Sequence, residues 1–334
     1  MIGAGACLCL PDPAFAQERV LNFGAIKPTK RTNWPSFRQR FKPLTGPLPN
    51  HNVLLYKALQ REIGEIEPHV QPVEGDCVAH SSAMACDILA AVNIHGFKKR
   101  EDFIAKASVE SIYWGSRVEI GGNQIPSMFA GSQVEWAAKF VNQYGVLHRS
   151  TYTKGDNFID LQGYDGHRSR SRRSLGVPDW LESIARLHPV KEISRCNSGT
   201  EILEAICAGQ IVVIGSSFAF PDVRDEYGFT TPFLGCDRCR RSGNLNCRQR
   251  RIWMHAMVIT GAILEGPKTG GVCQNSHGAW NTGPRPWNMP EGSFGIETKY
   301  LDMMAKDFGE AWAFSSYHGH QACMIPIRAI RSIK

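Results

Sequence analysis

Helical patterns and strand patterns occupy different parts of this sequence, and that segregation limits the fold more than any single residue does. Three helices are legible. The first opens at Asp76, placed as an N-cap, and carries Val78, Ala85, Leu89 and Val92 to a stop near Gly96. The second begins with Ser132-Gln133-Val134-Glu135, a capping-box pattern. Val134, Ala137, Ala138 and Val141 then recur at helical spacing until Gly145. The third starts at Thr200, places Glu201 and Glu204 in its first turn and ends at Gly209. Strand patterns follow. Ile211 to Ile214 is wholly apolar and β-branched, as in a buried strand. Met254 to Thr260 alternates, with His255, Met257 and Ile259 on one face, and Val272–Asn275 and Phe294–Thr298 are two further strands. Helices first and strands later predict an α+β fold rather than an alternating parallel sheet.

The chain has 334 residues, of which 43% are hydrophobic and 21% charged, enough apolar material for a sizeable core. That balance excludes a disordered chain, a collagen and a coiled coil. No run approaches the ~18 apolar residues of a membrane-spanning helix, so no span is predicted. Residues 1–66 read as a basic, proline-rich arm, with a weak signal-like segment at 1–16 and a short helix within 51–66. The compact part is expected over 67–328. The net charge of +7 is concentrated in three stretches. Lys27–Lys42 has six basic residues and no acid, His167–Ser174 has four arginines, and Cys236–Arg251 is net +5, which leaves −8 for the remainder. Each stretch is either a solvated loop or a surface for an acidic partner, and the arm could also meet an assembly partner.

Cys77 carries the most chemical information. In the first turn of a helix, unsatisfied N–H groups and the helix dipole favour a thiolate. A thiolate nucleophile needs a base, an orienter for that base and donors for an oxyanion. His255 on its strand, Asn275 at the end of the next and Gln71 on the loop before Cys77 fill those roles in order. Each residue alone has a plainer reading: a small buried hydrophobe, a core histidine, a turn residue.

Taken together they carry a resemblance. Gln71-Pro-Val-Glu-Gly-Asp-Cys77 resembles the Gln-to-Cys segment of papain-like cysteine peptidases. Met254-His255-Ala256 through Gly261 looks like that family's His strand, and Gln274-Asn275-Ser276-His277-Gly278 like its Asn segment. Gly131-Ser132-Gln133 through Tyr152 is similar to a helix and strand of its helical half. The resemblance implies a papain-like α+β fold, with a helical half holding Cys77, an antiparallel β-rich half holding His255 and Asn275, and a cleft between. By position, Cys77 would be the nucleophile, His255 its base and later acid, Asn275 the orienter, and Gln71 an oxyanion donor with the Cys77 N–H. Gly131 and Ser132 would pair with an extended peptide or protein substrate. No cofactor is implied.

The departures are equally specific. Val78 and His277 stand where the family has Trp, and Glu74 stands where it has a disulfide cysteine whose usual partner near Phe129 is also missing. The missing bridge favours an intracellular or assembly-associated protein over a secreted one. Cys77 to His255 spans 178 residues, against the ~130–150 usual for papain-type enzymes. Arg-rich insertions near 155–175 and 220–250 account for the excess. His80, on the same helix face as Cys77, could perturb the thiolate or simply pack. Among the eleven cysteines, Cys236, Cys239 and Cys247 form the one zinc-like spacing, with only three ligands evident; a disulfide or free thiols fit as well. The expected function is a cysteine peptidase hydrolysing peptide bonds. The alternatives are a papain-fold structural or binding component of a larger assembly, and an acyl or amide transferase using the same triad.

Overall fold

The computed structural model describes residues 20–30, 32–41, 48–71, 74–96, 103, 105–234 and 252–317. Its elements, in chain order, are β1 (Val20–Asn22), α1 (Phe37–Arg40), β2 (Val53–Leu54), α2 (Tyr56–Ile63), α3 (Cys77–Gly96), α4 (Val109–Gly115), α5 (Val134–Gln143), β3 (Thr151–Lys154), β4 (Asn157–Asp160), α6 (Gly166–Ser171), α7 (Asp179–Ala185), β5 (Val190–Arg195), α8 (Gly199–Cys207), β6 (Ile211–Phe218), β7 (Ile252–Ile263), β8 (Gly270–Gln274), β9 (Ser293–Glu297), α9 (Thr298–Asp307) and β10 (Ala311–Tyr317). One large sheet runs β5-β10-β6-β7-β8-β9, antiparallel throughout, and β1 and β2 also pair with β7. This is an α+β architecture.

The sheet and α3 build the core. All eight residues of β6 are buried, as a β-branched run with both faces covered should be. α3 is apolar on every side and is packed against α2, α4, α5, β6, β7 and β10. By length and composition it could cross a bilayer, but 89% of its apolar window is enclosed by protein, so its all-round hydrophobicity is that of a core helix.

Three expectations are corrected. The capping box at Ser132–Glu135 does not form. Gln133 is the N-cap of α5 and makes no side-chain cap. Instead Glu310, from the distant β10 side, accepts hydrogen bonds from the Val134 and Glu135 N–H groups at 2.9 Å each, while Ser132 Oγ pairs with Ser116 Oγ. A buried carboxyl group has an oxygen for each of two free helix donors, more than one serine hydroxyl satisfies. The third helix starts one residue early, capped by Ser198 on the Glu201 N–H.

The third correction concerns the N-terminal arm of residues 1–66. β1 lies parallel to β7, with Val20 opposite Ile252 and Asn22 opposite Met254. Phe37 is fully buried, and Trp34 donates to the Ile193 carbonyl. Three arginines of the His167–Ser174 stretch pair with buried acids: Arg168 with Glu110, and Arg170, itself exposed, and Arg173 with Glu74. Cys236, Cys239 and Cys247 lie outside the described residues, as do the signal-like segment and the arginines of 238–251.

Candidate active site

Cys77 is the first residue of α3, and Asp76 stands just before it. The Asp76 carbonyl accepts the Ala79 and His80 N–H groups, while its carboxylate takes the Tyr164 hydroxyl at 2.9 Å. Burial lifts that carboxyl to about 7. His80, one turn on, is fully packed: Nδ1 lies 3.2 Å from His69 Nδ1 and Nε2 lies 3.5 Å from Asp76 Oδ1. It faces these groups rather than solvent.

β7 delivers the imidazole. His255 Nε2 lies 2.6 Å from Asn275 Oδ1, an oxygen that also accepts the Ser276 N–H. The next residue along β7, Ala256, donates its N–H to Cys77 Sγ at 3.3 Å. The sulfur therefore sits against the strand immediately beside the histidine. His255 Nδ1 is buried and has no hydrogen-bond partner, so the thiol–imidazole hydrogen bond is not made in this conformation. Both side chains are 0% exposed.

That burial reverses one expectation. The helix start was expected to favour a thiolate. Here loss of water pushes the Cys77 thiol up, despite the Ala256 N–H, and pushes the His255 imidazole well down. Burial thus disfavours the charged form of both groups, desolvation outweighing the helix terminus.

The N-terminal segment forms part of this cover. The Phe23 ring packs on His255 (centroids 5.2 Å) and on His277 (4.3 Å). Phe23 and Ala25 both donate to the Met254 carbonyl. Ile26 donates to the Ser132 carbonyl at 2.9 Å, and Ser132 donates to the Gly24 carbonyl at 2.8 Å, a parallel bridge centred on Ala25. Gln71 Nε2 donates to the Phe23 carbonyl at 2.7 Å and to the Glu74 carbonyl at 2.5 Å. Thus Gln71 and Ser132, both expected to meet a substrate, are bonded to the chain's own residues 23–26. Gly131 flanks the same segment: its conformation has φ +110°, and a Cβ there would lie 2.7 Å from the Gly24 carbonyl oxygen. A cavity of about 540 Å³ remains between this segment, the Gln71–Gly75 loop and residues 124–130.

No family profile matches the sequence, and no curated protein matches it at a significant level. Solved structures do. Xylellain, a cysteine protease from Xylella fastidiosa, superposes with a TM-score of 0.55 over 89% of this chain and 97% of its own, at 18% identity. The chain has a papain-like fold. Procathepsin B S9 from Trypanosoma congolense (TM-score 0.50, 11% identity, 91% of this chain and 87% of that one) superposes as well. So does procathepsin L2 of the Tenebrio molitor larval midgut (0.50, 13%, 88% and 78%).

Within the papain-like fold, the departures noted in the sequence find physical substitutes. His277, in place of a tryptophan, packs its ring on His255 at 4.5 Å and is itself flanked by Phe23, Trp253 and Trp280. Several rings thus pack around the His255 imidazole. Glu74, in place of a cysteine, is 2% exposed and holds Arg170 and Arg173. Sequence reasoning missed Phe23–Ile26, Tyr113, Arg117 and the roles of Arg170 and Arg173. Only the absence of acids around the arginines signalled an internal acidic partner, and it pointed equally to an external one. Among the described residues no cluster of His, Cys, Asp or Glu has metal-ligand geometry.

Proposed function

We propose that the protein is a cysteine peptidase held closed by its own residues 23–26. The observation that carries the reading is the joint placement of three groups: His255 bonded to Asn275 on one side, and the Cys77 sulfur on the next backbone N–H of the same strand. When the segment withdraws, water reaches the cleft and the desolvation penalty on the ion pair falls. His255 Nδ1, now without a partner, takes the Cys77 proton. The thiolate attacks the carbonyl carbon of an extended peptide, whose backbone pairs at Gly131 and Ser132 in place of Ala25. Gln71 Nε2, released from the Phe23 carbonyl, donates to the oxyanion together with the Cys77 N–H. The imidazolium returns the proton to the leaving amine, and water deprotonated by His255 then hydrolyses the thioester.

The test uses the full chain carrying Gly24→Val, which forces the segment outward. This variant should cleave an unfolded protein such as casein, and Cys77→Ala or His255→Ala added to it should abolish cleavage. Folded Gly24→Val protein with an alkylatable Cys77 and no cleavage would instead support a binding module, a reading that the sealed cleft also fits. Products capped by an added amine would point to acyl transfer.

A further inference from the structure

The Arg-rich segment near 165–175 and the glutamate three residues before the nucleophile are otherwise unexplained, and the structure brings them together. Glu74 Oε2 accepts from Arg170 Nε at 2.8 Å, and Oε1 accepts from Arg173 Nη1 at 2.9 Å and from the Tyr113 hydroxyl at 3.3 Å. The Tyr113 oxygen in turn accepts the Gly131 N–H at 3.0 Å. Arg117, 1% exposed, donates to the Gly131 carbonyl at 2.5 Å, to the Ile125 carbonyl and to the Arg173 carbonyl at 3.0 Å. These contacts close a ring: Glu74, Tyr113, Gly131, Arg117, Arg173 and back to Glu74. The ring joins two walls of the cleft. One is the loop carrying Gln71, whose amide is also held by the Glu74 carbonyl; the other is the loop carrying Gly131. The cavity of about 540 Å³ lies between them, lined by Gln71, Glu74, Ile125 and Phe129.

We propose that Glu74 is a positioning residue that sets the spacing between the oxyanion-donor loop and the peptide-pairing loop. It acts through Tyr113 and through the two arginines supplied by the 166–173 segment. The inference rests on the peptidase reading for its kinetic consequence but not for its structural content. Charge-assisted hydrogen bonds to a buried carboxylate are among the stronger non-covalent links, and they do the work of a cross-link without a redox-sensitive bond. Removing one leaves a buried group unpaired and loosens both walls together.

The experiment has two arms. In the full-length Cys77→Ala protein, amide exchange at Gly131 is compared among Tyr113→Phe, Glu74→Gln and the parent. Both substitutions should raise it about tenfold, the worth of one buried hydrogen bond, with the β5–β10 pairing unchanged. In the Gly24→Val protein, Tyr113→Phe should raise KM for a peptide about tenfold with kcat within about twofold, a split that a mere loss of folded protein would not produce. Glu74→Asp should recover part of what Glu74→Gln loses. Unchanged exchange at Gly131 in folded Tyr113→Phe and Glu74→Gln proteins overturns the proposal, as does a fall in kcat alone. If Gly24→Val shows no hydrolysis, the peptidase reading fails and the exchange arm still decides the ring.

Discussion

Replacing Gly24 should open the cleft, and the size of the effect follows from the geometry. Gly24 has φ +110°, and a Cβ there would lie 1.9 Å from the Gly75 carbonyl oxygen and 2.2 Å from its carbon. Those atoms are backbone, so no side chain can rotate away, and the segment itself must move. At least five hydrogen bonds seat residues 23–26: two to the Met254 carbonyl, two with Ser132 and one from Gln71. At roughly 1 kcal/mol net each, they hold the segment by about 5 kcal/mol. Gly24→Val strains at least the two closest to the new Cβ, Ser132 to Gly24 and Gln71 to Phe23, a loss of about 2 kcal/mol. The open population then rises ~30-fold. Iodoacetamide labelling of Cys77, followed by peptide mass spectrometry at pH 7, reads that population directly. Cys86, Cys196, Cys207 and Cys273 are buried thiols elsewhere in the fold and serve as internal controls. Labelling of Cys77 within about twofold of the parent would refute the argument. Equal acceleration at Cys86 and Cys273 would refute it too, by showing global loosening rather than withdrawal of one segment.

Other perturbations have defined outcomes. His277 is held down to about 4 by burial. Its folded value lies below the ~6.5 of a hydrated histidine, so its contribution to the closed state is complete above pH ~6.5 and is lost as pH falls towards 4, by at most about 3 kcal/mol. Amide exchange of residues 20–26 should therefore accelerate over that window. His277→Gln should flatten the response without removing it, since His255 is shifted in the same direction. A slope unchanged by His277→Gln would contradict the assignment. Asn275→Ala leaves His255 Nε2 buried without its acceptor and should cost about 1–3 kcal/mol in urea unfolding. Glu310→Ala strands the Val134 and Glu135 N–H groups at the start of α5 and should cost a similar amount, with raised exchange at those two amides. Glu310, lifted to about 8 by burial, is protonated more readily folded than unfolded. Its share of stability should be present below pH ~4.5 and lost as pH rises through 8, a slope that Glu310→Gln removes.

What the sequence revealed depended on how local the deciding interaction was. β6 and β7 were legible because apolar runs and alternation record burial along a single segment. α3 was legible for the same reason; Cys77 and Asn275 stand at the edges of α3 and β8, while His255 lies inside β7 and Gln71 on a loop, so those two were picked out only by their order along the chain. The α5 capping box misled because its competitor, Glu310, lies about 175 residues away. The N-terminal segment was unreadable for a related reason. β1 has three residues, too few for any period, and its pairing partner begins at Ile252. The upward push on the Cys77 thiol could not be foreseen either, since the chain that desolvates it comes from distant parts of the sequence. The arginines of 168–173 looked like a surface because their acids, Glu74 and Glu110, are isolated in sequence and hidden in the fold.

The helix that begins at Cys77 is surrounded on all sides, by α2, α4 and α5 and by three strands of the sheet. A thiol mounted on so immobile a pillar cannot be switched by moving the pillar. On the peptidase reading, control would fall to a thin wall that is not part of it, the handful of residues threaded past Gly75. A ligand aimed at Cys77 would, on that reading, have to mimic and outcompete that thread.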